Sequence, residues 1–332
     1  MQKAKIRGIT NDNYFPDVLG NRFNKLTLSL ADDYEGEVVS TLIRRNSESK
    51  TPKAILYVHG FNDYFFQEEM AKEFNEKGYN FYALDLRKYG RSYLSHQKMN
   101  NVRSLLEYDE EINIALQIIK SENNDHVLLK GHSTGGLIVT NYAGNHLNSN
   151  LFHGVICNSP FYEFNLNVIE RKIAIPILST LGRHLPNKEI AMHKSNQYGY
   201  SLHKDHHGEW DFSITWKPLE RPKVNLGFIR AIHKAQERIK HNPIIDVPIL
   251  VMYSSKSIHE HCWSDKFIEG DAVLNVDHIR NYAKHIKGNV TSCQIENGMH
   301  DLMLSKKPVR KKVYATVFEW IDTAFKIKAQ NT

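Results

Sequence analysis

The segment 131–136, with the sequence GHSTGG, constrains the possible fold more than any other part of the chain. It follows the apolar run 126–130 and precedes a second apolar stretch. A G-x-S-x-G sequence between a strand and a helix predicts a turn so tight that Ser133 takes a strained backbone conformation at its tip. Gly131 and Gly135 are small because the strand and the helix pass too close for side chains. The pattern therefore predicts a serine hydroxyl exposed above a sheet, where a base can reach it.

Apolar strand-like runs alternate with helix-period segments along most of the chain. This alternation predicts an α/β fold in which helices flank a mostly parallel central sheet. Strands are expected over 25–30, 38–44, 54–58, 80–86, 126–130, 154–158, 248–253 and 290–295. The first two precede any helix and are expected to form an antiparallel edge. Helices with one apolar stripe are expected over 65–77, 103–120 and about 309–327.

The alternation of strand-like and helix-like segments stops between about Phe161 and Pro243, where apolar segments with helical periodicity are mixed with polar loops. We interpret residues 1–160 and 246–332 as the α/β core and residues 161–245 as an inserted cap over the carboxyl edge of the sheet. The alternative is that this stretch is a buried part of the core. Its aromatic residues Trp210, Phe212, Trp216 and Phe228 either line an acyl pocket or form the cap's own core. Trp210 and Trp216 are the candidate substrate-binding residues.

The composition and the charge distribution of the chain limit the partners and the cellular location that we expect. The net charge of +6 is spread along the chain, and aromatic residues do not alternate with basic ones as in nucleic-acid-binding segments. The densest basic run, 306–312, is either a solvated helix face or a site of transient contact with an anionic lipid surface. The chain has three cysteines, and neither a secretory signal nor a long apolar span is evident in the sequence, so we expect a cytoplasmic protein.

Two histidine clusters raise the question of a metal site. One contains His203, His206 and His207, and the other contains His259, His261 and Cys262. Imidazole and thiolate are suitable zinc ligands, but neither cluster has the spacing of a dedicated site. We therefore interpret them as surface residues and expect no metal.

A serine hydroxyl is a weak nucleophile at neutral pH, so Ser133 needs a base, and the base needs an orienting carboxylate. His300 is the predicted base, because it follows the last predicted strand and a short turn. Asp271 is the preferred acid, since it leaves room for one helix and one strand before the histidine. Asp265 is the alternative, whereas Asp277 is interpreted as the N-cap of a helix.

Acyl transfer also needs hydrogen-bond donors for the oxyanion. The backbone N–H of Thr134, directly after the serine, is one predicted donor. The other is the N–H of Phe61, in the turn after strand 54–58, where Gly60 permits a tight turn. An ordinary glycine turn at the end of a strand is the alternative interpretation of this second segment.

Taken together, these motifs resemble α/β-hydrolases of the monoacylglycerol lipase and lysophospholipase group, also described as serine aminopeptidase-like. The resemblance is carried by YVHGF at 57–61, DLR at 85–87, GRS at 90–92, GHSTGG at 131–136, GD at 270–271 and GMH at 298–300. The order serine, acid, histidine is that of α/β-hydrolases. One departure concerns the acid, which in the family lies within a few residues of its strand. Here an inserted His-rich loop delays Asp271.

The resemblance implies a serine hydrolase that cleaves a carboxylic ester through a covalent acyl-enzyme, without a cofactor. The implied substrate is a monoacylglycerol, a lysophospholipid or another single-chain ester. Two alternatives remain open. A peptidase or amidase uses the same triad, and a ligand receptor can keep the fold without turnover.

Overall fold

A nine-stranded sheet forms the centre of the computed structural model, which describes residues 14–20, 22–191 and 197–329. The first strands of this sheet, in chain order, are β1 (Phe15–Pro16), β2 (Asn24–Ser29), β3 (Val39–Arg45), β4 (Lys53–Val58), β5 (Asn80–Asp85), β6 (His126–His132) and β7 (Gly154–Asn158). A separate two-stranded ladder follows, formed by β8 (Glu189–Ile190) and β9 (Val224–Asn225). The last two strands of the nine-stranded sheet are β10 (Ile249–Ser254) and β11 (Val290–Ile295). The spatial order is β1-β2-β3-β5-β4-β6-β7-β10-β11.

The pairing directions agree with the sequence. Strands β1 to β3 are antiparallel, and β3 also runs antiparallel to β5, whereas every pair from β5 through β4, β6, β7 and β10 to β11 is parallel. Every residue of β7 and β10 is buried, which explains why these strands appear in the sequence as unbroken apolar runs. The predicted mostly parallel sheet and its antiparallel edge are confirmed, with each predicted strand end within two residues.

Helices cover both faces of the sheet. They are α1 (Glu68–Glu76), α2 (Asp109–Ser121), α3 (Thr134–Asn145), α4 (Ile175–His184), α5 (Gln197–Leu202), α6 (Leu226–Lys240), α7 (Val276–Ala283) and α8 (Lys307–Ala329). One apolar layer holds α2, α3, α6 and α7, and the other holds α1 and α8. None of the helices in the described ranges is long and apolar enough to span a membrane.

The predicted cap region contains α4, α5, α6 and the small ladder of β8 and β9. Helix α6 belongs to this region by sequence but packs on the core helix α3, where Asn141 Nδ2 donates a hydrogen bond to Ala235 O at 3.3 Å. The chain thus leaves the sheet after β7 and returns to it at β10. The division into a core and a cap with the boundaries 161–245 stays a prediction.

Candidate active site

Ser133 lies between β6 and α3 with φ 53° and ψ −115°. This region of backbone space is costly for a residue with a side chain and is typical of functional sites. The close approach that requires the flanking glycines is visible at Gly135, where a Cβ atom would lie 2.3 Å from Val58 O. A Cβ on Gly131 would lie 2.3 Å from Gly135 O. The strained strand-to-helix turn predicted from the sequence is therefore present.

His300 and Asp271 are in direct contact. His300 Nδ1 lies 2.9 Å from Asp271 Oδ2, and both side chains are buried. The other carboxylate oxygen, Oδ1, accepts hydrogen bonds at 2.8 Å from the N–H groups of Val273 and Leu274. Burial lowers the pKa of His300 and outweighs the opposing effect of Asp271. The imidazole is thus neutral near pH 7, with Nδ1 as donor to the carboxylate and Nε2 available as a base.

A loop whose two ends are bridged explains how Asp271 reaches this position, although it lies many residues after the end of β10 in the sequence. Strand β10 ends at Ser254, and Ser257 then forms a single parallel bridge with Asp271. The bridge is closed by two hydrogen bonds, from Asp271 N–H to Lys256 O at 2.9 Å and from Ile258 N–H to Asp271 O at 2.8 Å. Residues 258–270 therefore leave the sheet and return to the same point. In space, the acid lies just beyond the end of β10.

The other two carboxylates considered from sequence lie elsewhere. Asp265 is exposed at the start of a 3₁₀ turn. Asp277 is exposed and pairs with Arg280 at 2.8 Å. Its interpretation as an N-cap was wrong, because Asn275 is the N-cap of α7 and its Oδ1 accepts the N–H of Asp277 at 2.9 Å. Asn and Asp are both good caps, and the sequence alone did not distinguish Asn275 from Asp277, two residues later.

The two predicted oxyanion donors lie on either side of the serine. Thr134 is the first residue of α3, so its N–H has no partner within the helix. Gly60 brings the second turn close, since a Cβ on it would lie 3.1 Å from Ser133 Cβ. Within the described ranges, neither Thr134 N–H nor Phe61 N–H donates a hydrogen bond to the protein.

A cavity of about 420 Å³ opens onto these groups. Ser133, Thr134, His300 and Phe61 all line it. Its remaining wall is mainly apolar and includes Phe161, Phe164, Ile175, Leu178, Phe212, Val224, Phe228, Ile229, Ile232 and Leu274. The cavity thus places a mainly apolar wall beside the serine and the histidine.

Trp210 and Trp216, the candidate substrate-binding residues, are not among the residues that line this cavity. Trp210 Nε1 donates to Leu304 O at 2.8 Å, and the Arg310 guanidinium lies 5.0 Å from its ring centroid. Trp216 packs edge-on against Tyr64. Both indoles thus join the predicted cap to the core. Of the four aromatic residues considered from the sequence, Phe212 and Phe228 line the cavity.

A buried polar cluster beside His300 was missed from the sequence. Its centre is His132, whose ring lies 4.9 Å from that of His300. His132 Nδ1 is 3.7 Å from Asp63 Oδ2 and 3.8 Å from Asp301 Oδ2. Lys217 Nζ donates to Asp63 Oδ1 at 2.7 Å. Lys217 and Asp63 are 154 residues apart, so no local signal indicates that they meet.

The histidines considered as metal ligands have other neighbours. His207 stacks on Trp263 with ring centroids 3.7 Å apart, and His203 packs edge-on against Phe212 at 4.8 Å. Among the residues that the structure describes, no group of three or more His, Cys, Asp or Glu side chains is arranged to hold a metal ion.

Comparisons with known proteins agree with this fold. The family model described as serine aminopeptidase, S33, matches residues 49–306. No curated protein sequence matches the chain. A monoacylglycerol lipase from Paleococcus ferrophilus is 17% identical with a TM-score of 0.63, over 85% of this chain and 99% of that one.

Two further solved structures have the same fold. A soluble variant of the Saccharomyces cerevisiae monoglyceride lipase, in complex with a substrate analogue, has a TM-score of 0.65 at 15% identity, over 89% of this chain and 94% of that one. A carboxyl esterase from Bacillus coagulans, in complex with glycerol, has a TM-score of 0.61 at 15% identity, over 90% and 98% of the two chains. The family match spans most of the sequence and includes the turn at Ser133 and the paired residues Asp271 and His300. The chain belongs to the serine aminopeptidase S33 family of the α/β-hydrolase superfamily.

Proposed function

We propose that this α/β-hydrolase is a serine hydrolase that cleaves a carboxylic ester through a covalent acyl-enzyme. The observation that carries the proposal is the buried contact between His300 and Asp271 in a cavity that Ser133 also lines. A buried carboxylate holding a neutral imidazole is the arrangement that activates a serine. The strained turn at Ser133 supports the same role.

The proposed mechanism follows from these positions. His300 Nε2 removes the proton of Ser133 as Oγ bonds to the carbonyl carbon of the ester. The negative oxygen of the tetrahedral intermediate is held by the N–H groups of Phe61 and Thr134. When the intermediate collapses, the C–O bond to the alcohol breaks and His300 gives its proton to the leaving oxygen. Water activated by His300 then attacks the acyl-enzyme and releases the acid and the serine.

A fluorophosphonate probe tests the assignment directly. A serine hydrolase is labelled at Ser133, and a ligand receptor that has lost turnover is not. Comparing nitrophenyl esters with aminoacyl amides then separates an esterase from a peptidase or amidase, since the same triad serves both bonds. The lipases and the esterase of similar fold favour the ester.

The apolar wall of the cavity supports a substrate with an acyl chain. Each buried methylene should favour binding by about 0.8 kcal/mol, or roughly fourfold in kcat/KM, until the cavity is full. We therefore expect kcat/KM to rise from acetate to butyrate to octanoate nitrophenyl esters and then to level. An equal kcat/KM on all three esters would contradict an acyl-chain substrate and favour a small polar ester or an aminoacyl amide.

A matched pair of variants on α4 tests which wall of the cavity the acyl chain of the substrate contacts. Leu178 lines the cavity, whereas Leu181, one turn later, is exposed. Leu178→Trp should shorten the acyl chain that the protein prefers, while leaving hydrolysis of the acetate ester nearly unchanged. Leu181→Trp should leave the chain-length profile as it is in the wild type. The same shift in both variants would show that the effect does not come from this cavity.

The outward face of residues 169–185, a segment that includes α4, supports contact of the protein with a lipid surface. Ile169, Ile173, Ile177, Leu181 and Leu185 recur at every fourth position and are 43 to 72% exposed. Ala174, Ile175 and Leu178 on the other side line the cavity. Exposed apolar stripes of this length are uncommon on monomers and mark interaction surfaces. We propose that the stripe, flanked by the exposed basic residues Lys172, Arg183 and Lys188, lies on an anionic lipid surface next to the cavity.

The basic run 306–312 fits this role less well, because Arg310 within it is buried and pairs with Glu69 and Glu209. We expect Ile173→Glu/Ile177→Glu to lose co-sedimentation with phosphatidylglycerol-containing vesicles while keeping activity on a water-soluble ester. The control is Lys311→Glu/Lys312→Glu, which alters exposed charges on α8. Binding that survives the isoleucine changes but not the lysine changes would assign the contact to the basic run instead.

A further inference from the structure

The loop that carries Phe61 is contacted by the predicted cap along most of its length. We call residues 61–66 the oxyanion loop. Three aromatic pairs cross from it to the cap with ring centroids 5.0 to 5.2 Å apart, and these are Phe61–Phe228, Tyr64–Trp216 and Phe66–Phe212. In addition, Ser213 N–H donates to the hydroxyl oxygen of Tyr64 at 2.7 Å.

Two polar contacts hold the residues directly after Phe61. Asn62 Nδ2 donates to Pro218 O at 2.9 Å, and Lys217 Nζ donates to Asp63 Oδ1 at 2.7 Å. Asp63 is 1% exposed and Lys217 is 8% exposed, so water screens their ion pair little. Burial alone would raise the pKa of Asp63, but Lys217 and His132 hold it below its usual range. Adjacent cap residues thus bind adjacent loop residues.

The core holds the two ends of this loop and also contacts its middle, where His132 Nδ1 lies 3.7 Å from Asp63 Oδ2. At one end, Gly60 packs against Ser133, and at the other, Phe65 N–H donates to Asp85 Oδ1 at 2.8 Å. Between these points Asn62 has φ 52°, a left-handed conformation that needs support from its surroundings. The polar support that the structure gives to Asn62 comes from Pro218. The turn that directs Phe61 N–H is therefore held by the cap as well as by the core.

We propose that Lys217 and Pro218 are positioning residues that complete the oxyanion hole from the cap. This inference rests on the proposed function, because it concerns the second oxyanion donor of that reaction. The cap then does more than shape the acyl site. When it is seated, the ion pair between Lys217 and Asp63 and the hydrogen bond from Asn62 hold the turn in which Phe61 N–H meets the developing negative charge.

The test removes the ion pair without leaving a buried charge. Lys217→Met alone would leave a carboxylate without its ammonium partner, and such variants are strongly destabilised. The main variant is therefore Asp63→Asn/Lys217→Met, which is neutral and close in shape. Removing an oxyanion donor typically lowers kcat by about 100- to 1000-fold, so partial misplacement should lower kcat by roughly 10- to 100-fold. KM should change little, because the donor acts mainly in the transition state.

A second readout separates positioning from a loss of structure. An octyl trifluoromethyl ketone forms a tetrahedral adduct with the serine and needs the oxyanion donors, whereas octanoate does not. The double variant should lose affinity for the ketone in proportion to its loss of kcat/KM and keep its affinity for octanoate. Asn62→Gly retains the left-handed backbone but loses the contact with Pro218, and it should show the same pattern with a smaller effect.

Glu209→Gln is the matched control, since it removes an ion pair between cap and core that ends at Arg310 on α8. It should leave kcat and ketone affinity unchanged. If the wild type hydrolyses esters and labels at Ser133 but the double variant keeps its kcat and ketone affinity, the positioning role is refuted and the proposed function stands. A wild type that neither labels nor hydrolyses would refute both.

Discussion

Ser133→Ala and His300→Ala should each abolish ester hydrolysis, with kcat falling by up to about a millionfold if chemistry limits the rate. The reason is that the serine and the histidine act as a unit, so removing either one leaves the other without a function. The double variant should therefore be little slower than either single variant. Initial rates on the best nitrophenyl ester, with active-site titration of each preparation, measure the effect.

Thermal unfolding of the same preparations is the control, because an inactive variant must also be shown to be folded. Ser133→Ala keeps the turn and removes only the hydroxyl, so its melting temperature should stay near that of the wild type. If purified Ser133→Ala retains more than a few per cent of the activity, another residue is the nucleophile.

Asp271→Asn should lower kcat by roughly ten-thousandfold. Oδ1 of Asp271 accepts two backbone N–H groups, so an asparagine must keep its carbonyl oxygen at that position. Its amide NH₂ then faces His300 Nδ1 and donates to it. The imidazole proton is forced onto Nε2, which can no longer take a proton from Ser133. The effect should appear in kcat measured over a range of pH, with the protein still folded.

Asp277→Asn is the matched control, since it makes the same change at an exposed residue in the first turn of α7. It should be nearly silent in activity and stability. A severe loss in Asp277→Asn with a mild one in Asp271→Asn would reverse the assignment. Mild effects in both variants would turn attention to Asp265.

The fold was predictable because its signals are local. Strands such as β7 and β10 are buried on both faces, so their sequences are short apolar runs between polar turns. The turn at Ser133 was predictable for the same reason, since the glycines that permit it are its immediate neighbours. His300 was identified from its place after the last strand, and the structure brings it to the cavity that Ser133 lines.

Features that depend on distant contacts were not predictable. Trp210 and Trp216 were chosen as aromatic residues in the right region, but which indole faces the cavity depends on how the cap packs on the core. The ion pair between Lys217 and Asp63 joins segments 154 residues apart. Asp271 was preferred because it leaves room for one helix and one strand before His300, but the bridge that returns it to the end of β10 has no pattern in the sequence.

That bridge has a consequence for how the molecule can change. The excursion 258–270 extends far enough for Trp263 to stack on His207 in the predicted cap, with ring centroids 3.7 Å apart. At its base, the two hydrogen bonds between Asp271 and the backbone of Lys256 and Ile258 hold the two ends of the excursion together. We therefore expect a displacement of Trp263 to be taken up within the excursion, because the two hydrogen bonds hold Asp271 at its base.

The same closure separates the excursion from the position of Asp271. Insertions, deletions or exchanges beyond the base leave the acid where it is, so this segment can diverge in length while Asp271 keeps its distance to His300. The molecule thus contains a segment, 258–270, whose length and surface can change without moving Asp271 away from His300.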